Sequence, residues 1–206
     1  MSFPKLTAAL KDLAQSELDL QKVLGDETML AMWTDPYFPP TLKRTTEHLA
    51  DLREARLKAE DAEEHLDEAL SRGGDPLTLE SLWFGSQLLD YAGQKFQTAS
   101  ELHAMWKRLG PRRPNDELWW NEWGSQTTYP DHSRLFDLMD AITGLRSTYR
   151  RQWLAEYTPY RMDTALGRFD AEYQSWRRFQ EKLQEFSESS HEGATLPSLL
   201  GLAEGH

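Results

Sequence analysis

TLKRTTEHLADLREARLKAEDAEEHLDEALSRGGDP, residues 41–76, decides the class of fold. Leu42, Leu49, Arg56, Glu63 and Leu70 recur every seven residues, and Thr45, Leu52, Ala59 and Leu66 fill the alternating positions. This is the period of a helix with one face turned inward, although Arg56, Ala59 and Glu63 leave the middle of the seam polar or small. The spacing predicts one continuous helix over 41–72, a rod of roughly 48 Å at 1.5 Å rise per residue. Gly73-Gly74 ends it, and Asp75-Pro76 supplies an N-cap and a first-turn proline for the next helix. So short a link between two long helices makes them antiparallel neighbours.

Downstream, 76–109 reads as helix, with Leu82, Leu89, Phe96, Leu102, Trp106 and Leu109 facing inward; Gly85 and Gly93 within it permit close helix approach. Upstream, Leu6, Leu10, Leu13, Leu20 and Leu24 form a seam over 5–24, and Gly25 is a natural stop. Asp26 is placed to cap a short helix through Trp33, and Pro36, Pro39 and Pro40 then make a rigid turn. Residues 110–130 break the pattern around Leu118-Trp119-Trp120-Asn121-Glu122-Trp123. A further helix over 131–157 carries Leu135, Leu138, Ile142, Leu145, Tyr149 and Trp153, and Pro159 breaks or kinks it. The last helix carries Met162, Leu166, Phe169, Tyr173, Trp176, Leu183 and Phe186. Val occurs once, at Val23, and no alternating β-branched run suggests a strand. The expectation is an all-α, antiparallel helical bundle of about five to six helices, one domain over 1–187, with a flexible C-terminal tail over 188–206.

Composition narrows function mainly by exclusion. Charged residues at 28% together with eight Trp and eight Phe fit long helices with broad solvated faces rather than disorder. A net charge of −11 argues against a nucleic-acid partner, which needs clustered cations, and against an acidic membrane surface. Without cysteine there is no disulfide, thiolate zinc site or thiol nucleophile. No stretch has the apolar length of a membrane span, and the N-terminus lacks the order of a signal peptide; a complete chain would be cytosolic.

Motifs for chemistry are missing. A di-iron bundle needs Glu three residues before His, but Thr45, Ala62, Ser100 and Tyr129 precede His48, His65, His103 and His132. The run Glu60-Asp61-Ala62-Glu63-Glu64-His65 is spread around a helix and reads as a solvated face, so no metal or other cofactor is expected. The candidate binding residues are Trp119, Trp120 and Trp123, whose rings suit stacking on a sugar or docking on another domain. The competing reading folds these rings over the open end of the bundle. On a helix Trp119 and Trp123 share a face while Trp120 is turned by about 100°, so at least one ring is expected to stay available. The stretches Arg150-Arg151-Gln152-Trp153 and Glu156-Tyr157-Thr158-Pro159-Tyr160-Arg161 either shape a ligand site or satisfy the backbone freed at the helix junction.

The segment Ala31-Met32-Trp33-Thr34-Asp35-Pro36 and residues 49–70, LADLREARLKAEDAEEHLDEAL, resemble the helical region beyond the catalytic barrel in some bacterial family 20 glycoside hydrolases, which are β-N-acetylhexosaminidase-like. Gly74-Asp75-Pro76, residues 88–96 (LLDYAGQKF), Gln152-Trp153-Leu154-Ala155-Glu156 and Arg168-Phe169-Asp170 extend the resemblance. It implies a non-catalytic accessory domain whose partner is a (β/α)8 catalytic domain of the same or another chain. That family's catalytic Asp-Glu pair lies in the barrel, and Asp67-Glu68 here sits on a helix, so no catalytic residue carries over. Two other readings stand beside it: an independent carbohydrate- or protein-binding module using the loop 119–123, and a helical enzyme assembled from dispersed Arg, Tyr and Glu.

Overall fold

The computed structural model describes residues 4–25, 28–73, 75–127 and 133–203, and among them the chain is helical with no named strand. The longest helix, α5 (Pro76–Leu109), starts as its sequence dictates: Asp75 Oδ2 accepts from Thr78 N at 3.0 Å and Pro76 takes the first helical position. Before it come α1 (Pro4–Leu24), the short α2 (Thr28–Ala31), α3 (Pro39–Glu47) and α4 (Leu49–Ser71). After it come α6 (Asp116–Trp119), a π-helical turn (Trp120–Gly124), α7 (Ser125–Thr127), α8 (Arg134–Glu156), α9 (Met162–Ser189) and α10 (Leu199–Ala203). The expected cap at Asp26, the stop at Gly74 and the helix start at Asp131 lie outside the described residues.

α5 is buried on two opposite faces. Leu89 and Phe96 join Leu20, Val23, Leu52, Ala55 and Ala59 in a core shared with α1 and α4. Phe84, Leu88, Tyr91, Ala99, Leu102 and Met105 face the other way, into a core built with α8 and α9. The bundle is therefore two three-helix units with α5 in common, and a single inward stripe underestimates how much of α5 is covered. α4 runs antiparallel to both its neighbours. Lys5, Asp12 and Asp19 of α1 meet Glu68, His65 and Lys58 of α4 in descending order. Small residues let these helices approach: Ser16 Oγ donates to Ala55 O at 2.8 Å, and a Cβ at Gly93 would run into the Arg56 stem. Gly85 faces open space and has no such part.

Three expectations need correction. The rod over 41–72 is two helices, broken at His48 (φ −115°, ψ 31°). Nothing local marks the break; it lets Thr45 turn inward to share a 2.8 Å hydrogen bond with Ser100, and lets Arg44 Nη1 reach Leu24 O at 2.7 Å, closing the end of α1 beside Gly25 (φ 76°). In α1 the expected seam holds at Leu6, Leu13, Leu20 and Leu24, but Leu10 is exposed, and Ala9, Ser16 and Val23 are buried beside the seam. Of the tail expected over 188–206, the described residues are ordered otherwise: 188–189 complete α9 and 190–203 fold back along the bundle. Arg113 N donates to Ala194 O and Leu196 N to Pro111 O, while Leu196, Leu199 and Ala203 bury against the α5–α9 core. Trp106 Nε1 donates to Pro197 O at 2.9 Å, which anchors the returning segment.

Candidate functional site

The tryptophan cluster splits along the line that helical spacing drew. Trp119 and Trp123 have no exposed surface; Trp120 is 40% exposed. Trp106 stacks edge-on with Trp123 at 4.6 Å and with Trp119 at 6.1 Å, and Trp119 Nε1 donates to Ser187 Oγ at 2.9 Å. Those two rings hold α9 and α5 together and are withdrawn from any contact surface, which corrects their assignment as binding residues. Trp120 lies over Gly124 and keeps one face toward solvent.

A more developed site runs along one face of α9. Arg161, Thr164, Ala165 and Arg168 fall at spacings of three and four, and Ala171, Glu172 and Ser175 continue that face. They floor a groove of two adjoining cavities, each about 390 Å³, which share Trp33 and Arg168 as walls. This size is within the range of small-molecule sites.

One half of the groove is aromatic. Tyr149 lies 5.4 Å from Phe169 and 5.8 Å from Trp153, Phe84 lies 6.0 Å from Tyr149, and Trp33 meets Phe169 edge-on at 5.3 Å. Phe84 and Phe169 are buried, while Trp33, Tyr149 and Trp153 are half-buried and offer ring surface to the cavity. Among the described residues the ionic side chains lining this half are Arg161 and Arg168. Both are exposed, and neither makes an ion pair among the described residues. At the helix junction Trp153 Nε1 satisfies Thr158 O at 2.8 Å, and the same ring lines the cavity.

Arg161 is also the one non-glycine residue with positive φ (59°) among those described, and it stands immediately before α9. A side chain in the left-handed region costs about 1 kcal/mol or more. Stacking of its guanidinium on the Tyr160 ring at 5.3 Å returns part of that. No side chain caps the first turn of α9.

The other half is polar. Lys95, fully buried on α5, puts Nζ 2.8 Å from Glu172 Oε1 and donates to Met32 O at 2.9 Å. Tyr91 OH and Trp176 Nε1 donate to the same Glu172 oxygen at 2.9 and 3.1 Å. Burial holds the Lys95 ammonium below its usual range, against the opposing pull of Glu172. Asp35 lines the same cavity; burial raises its carboxyl, partly offset by the Tyr37 N–H that Oδ1 accepts at 2.8 Å. Periodicity could have revealed this cluster. Lys95 stands midway between Tyr91 and Ala99, and Glu172 between Phe169 and Trp176, so both lie on inward faces.

A further cavity, about 430 Å³ beside α1 and α4, is lined by charges that neutralise one another. Asp19 accepts from Lys58 at 2.7 Å and from Lys22 at 3.2 Å, which leaves little for a ligand to satisfy. Among the described residues no group of three or more His, Asp or Glu is placed to hold a metal ion, and no helix is long and apolar enough to cross a membrane.

The fold thus defines the class as an all-α helical bundle. No family model, curated protein or solved structure matches the chain.

Proposed function

We propose that this chain is a non-catalytic helical accessory domain, and that the groove along α9 is its recognition surface. The observation that carries the reading is the convergence of three half-buried rings, Trp33, Tyr149 and Trp153, with two arginines that make no ion pair among the described residues, on one cavity of ligand size. Rings exposed at a concave site and held by a rigid scaffold are how a binding surface is made, and each ring left uncovered is a liability unless something covers it. The resemblance to the region beyond hexosaminidase-like barrels supplies the candidate partner, a (β/α)8 domain of the same or another chain. Trp33, Asp35, Lys95, Trp153, Arg168 and Phe169 all belong to the stretches that carry that resemblance, and all line this groove or lie beside it.

The test is size-exclusion chromatography of the chain with a hexosaminidase-type barrel, together with a chromogenic N-acetylglucosaminide assay of the chain alone. A complex that Trp153→Ala disrupts, with no turnover by the isolated chain, supports the reading. Turnover by the purified chain, or a complex indifferent to Trp153→Ala, overturns it. A second reading, sugar stacking on Trp120, is favoured by that ring's 40% exposure. It requires glycan binding that Trp120→Ala abolishes in affinity electrophoresis.

A further inference from the structure

The groove's chemistry also specifies a ligand. Its aromatic half combines flat apolar walls with positive charge in a protein whose net charge is −11. Arg161 and Arg168 are seven residues apart on one helical face, so their Cα atoms are separated by roughly 10 Å along the axis, and between them lie only Thr164 and Ala165 on the cavity side. A small floor residue between two cations leaves room for a ring.

A second, independent observation points the same way. A chain that needs φ of 59° at one position normally meets the need with glycine or asparagine. Here the position carries arginine, whose guanidinium reaches the groove after stacking on Tyr160. Strain retained at a cavity wall is a sign that the side chain is used.

Resting on the groove as the recognition surface, we infer that its aromatic half binds a small organic anion: a flat apolar body of one or two rings bearing a carboxylate. The rings lie among Trp33, Tyr149 and Trp153, and the acid pairs with Arg168, with Arg161 contributing its field and a second donor set. Arg168 is the anchor because it borders both halves and offers a planar fork matched to a carboxylate. Across the Arg168 wall, the Lys95 ammonium is already committed to Glu172 and Met32 O, and Asp35 adds a second carboxylate, so that half offers an anion no free cation and the acid is confined to the arginine side.

Calorimetric titration with 2-naphthoate and with 2-naphthylmethylammonium, which share a ring system and differ in charge, tests this on the full chain. The carboxylate should bind at least tenfold more tightly than the ammonium. Arg168→Gln should weaken the carboxylate tenfold or more and leave the ammonium unchanged or tighter. Arg161→Gly should weaken the carboxylate several-fold while the thermal midpoint stays level or rises, because the backbone strain is relieved. Equal binding of the two probes, no binding of naphthoate at millimolar concentration, or naphthoate affinity indifferent to both substitutions overturns the inference. Should that happen while a barrel complex still depends on Trp153, the inference alone has failed; if the complex is indifferent as well, the reading of the groove has failed with it.

Discussion

Replacing Lys95 by Met tests whether the buried ion pair is a keystone of the α5–α9 contact. Met matches most of the lysine stem, so almost no cavity opens and the change is one of charge and hydrogen bonding. Lys95 Nζ serves two acceptors, Glu172 Oε1 at 2.8 Å and Met32 O at 2.9 Å. Its removal leaves a carboxylate at 8% exposure without a countercharge, a loss that generally costs about 3–5 kcal/mol. Two neutral donors remain on that oxygen, Tyr91 OH and Trp176 Nε1, each worth about 1 kcal/mol, which places the cost near the lower end, about 3 kcal/mol. For a chain of 206 residues this is a fall in Tm of roughly 6–12 °C. Urea and thermal melts followed by circular dichroism should show it, with an unchanged m-value. The double variant Lys95→Met, Glu172→Gln removes both charges and should lose only about 1–2 kcal/mol, since neutralising a buried pair together is far cheaper than orphaning one member. A single substitution costing less than about 1 kcal/mol, or a double whose cost is the sum of the singles, would refute the account.

Glu63 supplies a prediction in pH. Burial, with repulsion from Asp90, Glu60 and Asp67, pushes its carboxyl up to about 7, so the folded state holds a proton that the unfolded chain has released above about 4.5. Stability attached to this group is full below about 4.5 and is lost as pH rises toward 7; Glu63→Gln should therefore gain about 1–3 kcal/mol at pH 8 and nothing at pH 4, and a gain equal at both pH values would contradict the cause. Trp119→Ala and Trp123→Ala should each cost about 3–5 kcal/mol, whereas Trp120→Ala should stay below about 1. Trp119→Phe should cost about 1 kcal/mol more than Trp123→Phe, because only the Trp119 indole has a hydrogen-bond partner among the described residues, Ser187; equal melts would refute it. Ending the chain at Ser190 uncovers Trp106 and removes the burial of Leu196 and Leu199, each worth about 1.5–3 kcal/mol. It should lower Tm and red-shift tryptophan emission; a truncated chain that melts like the parent would return 191–203 to the status of a loose tail.

The sequence by itself determined the fold class and most of the elements. α5, α8 and α9 were legible because each has a strong local stop or start, Asp75-Pro76, Gly110 and Pro159, flanking a 3.6-residue apolar period. Spacing within 119–123 also separated Trp120 from its two neighbours, since the direction of a side chain on a helix depends only on local geometry. Tertiary structure decided what local geometry cannot carry. The break at His48 has no proline or glycine to announce it and exists because Thr45 and Arg44 find partners on α5 and α1. The return of 190–203 depends on an edge at Pro111 and Arg113, about eighty residues earlier, and nothing local in the segment says which backbone it will pair with. The groove is a meeting of the α2–α3 link, α5, α8 and α9, and no one of these segments contains it. Periodicity records which residues turn inward, but a site made of residues that turn inward from four directions is fixed only when the helices pack.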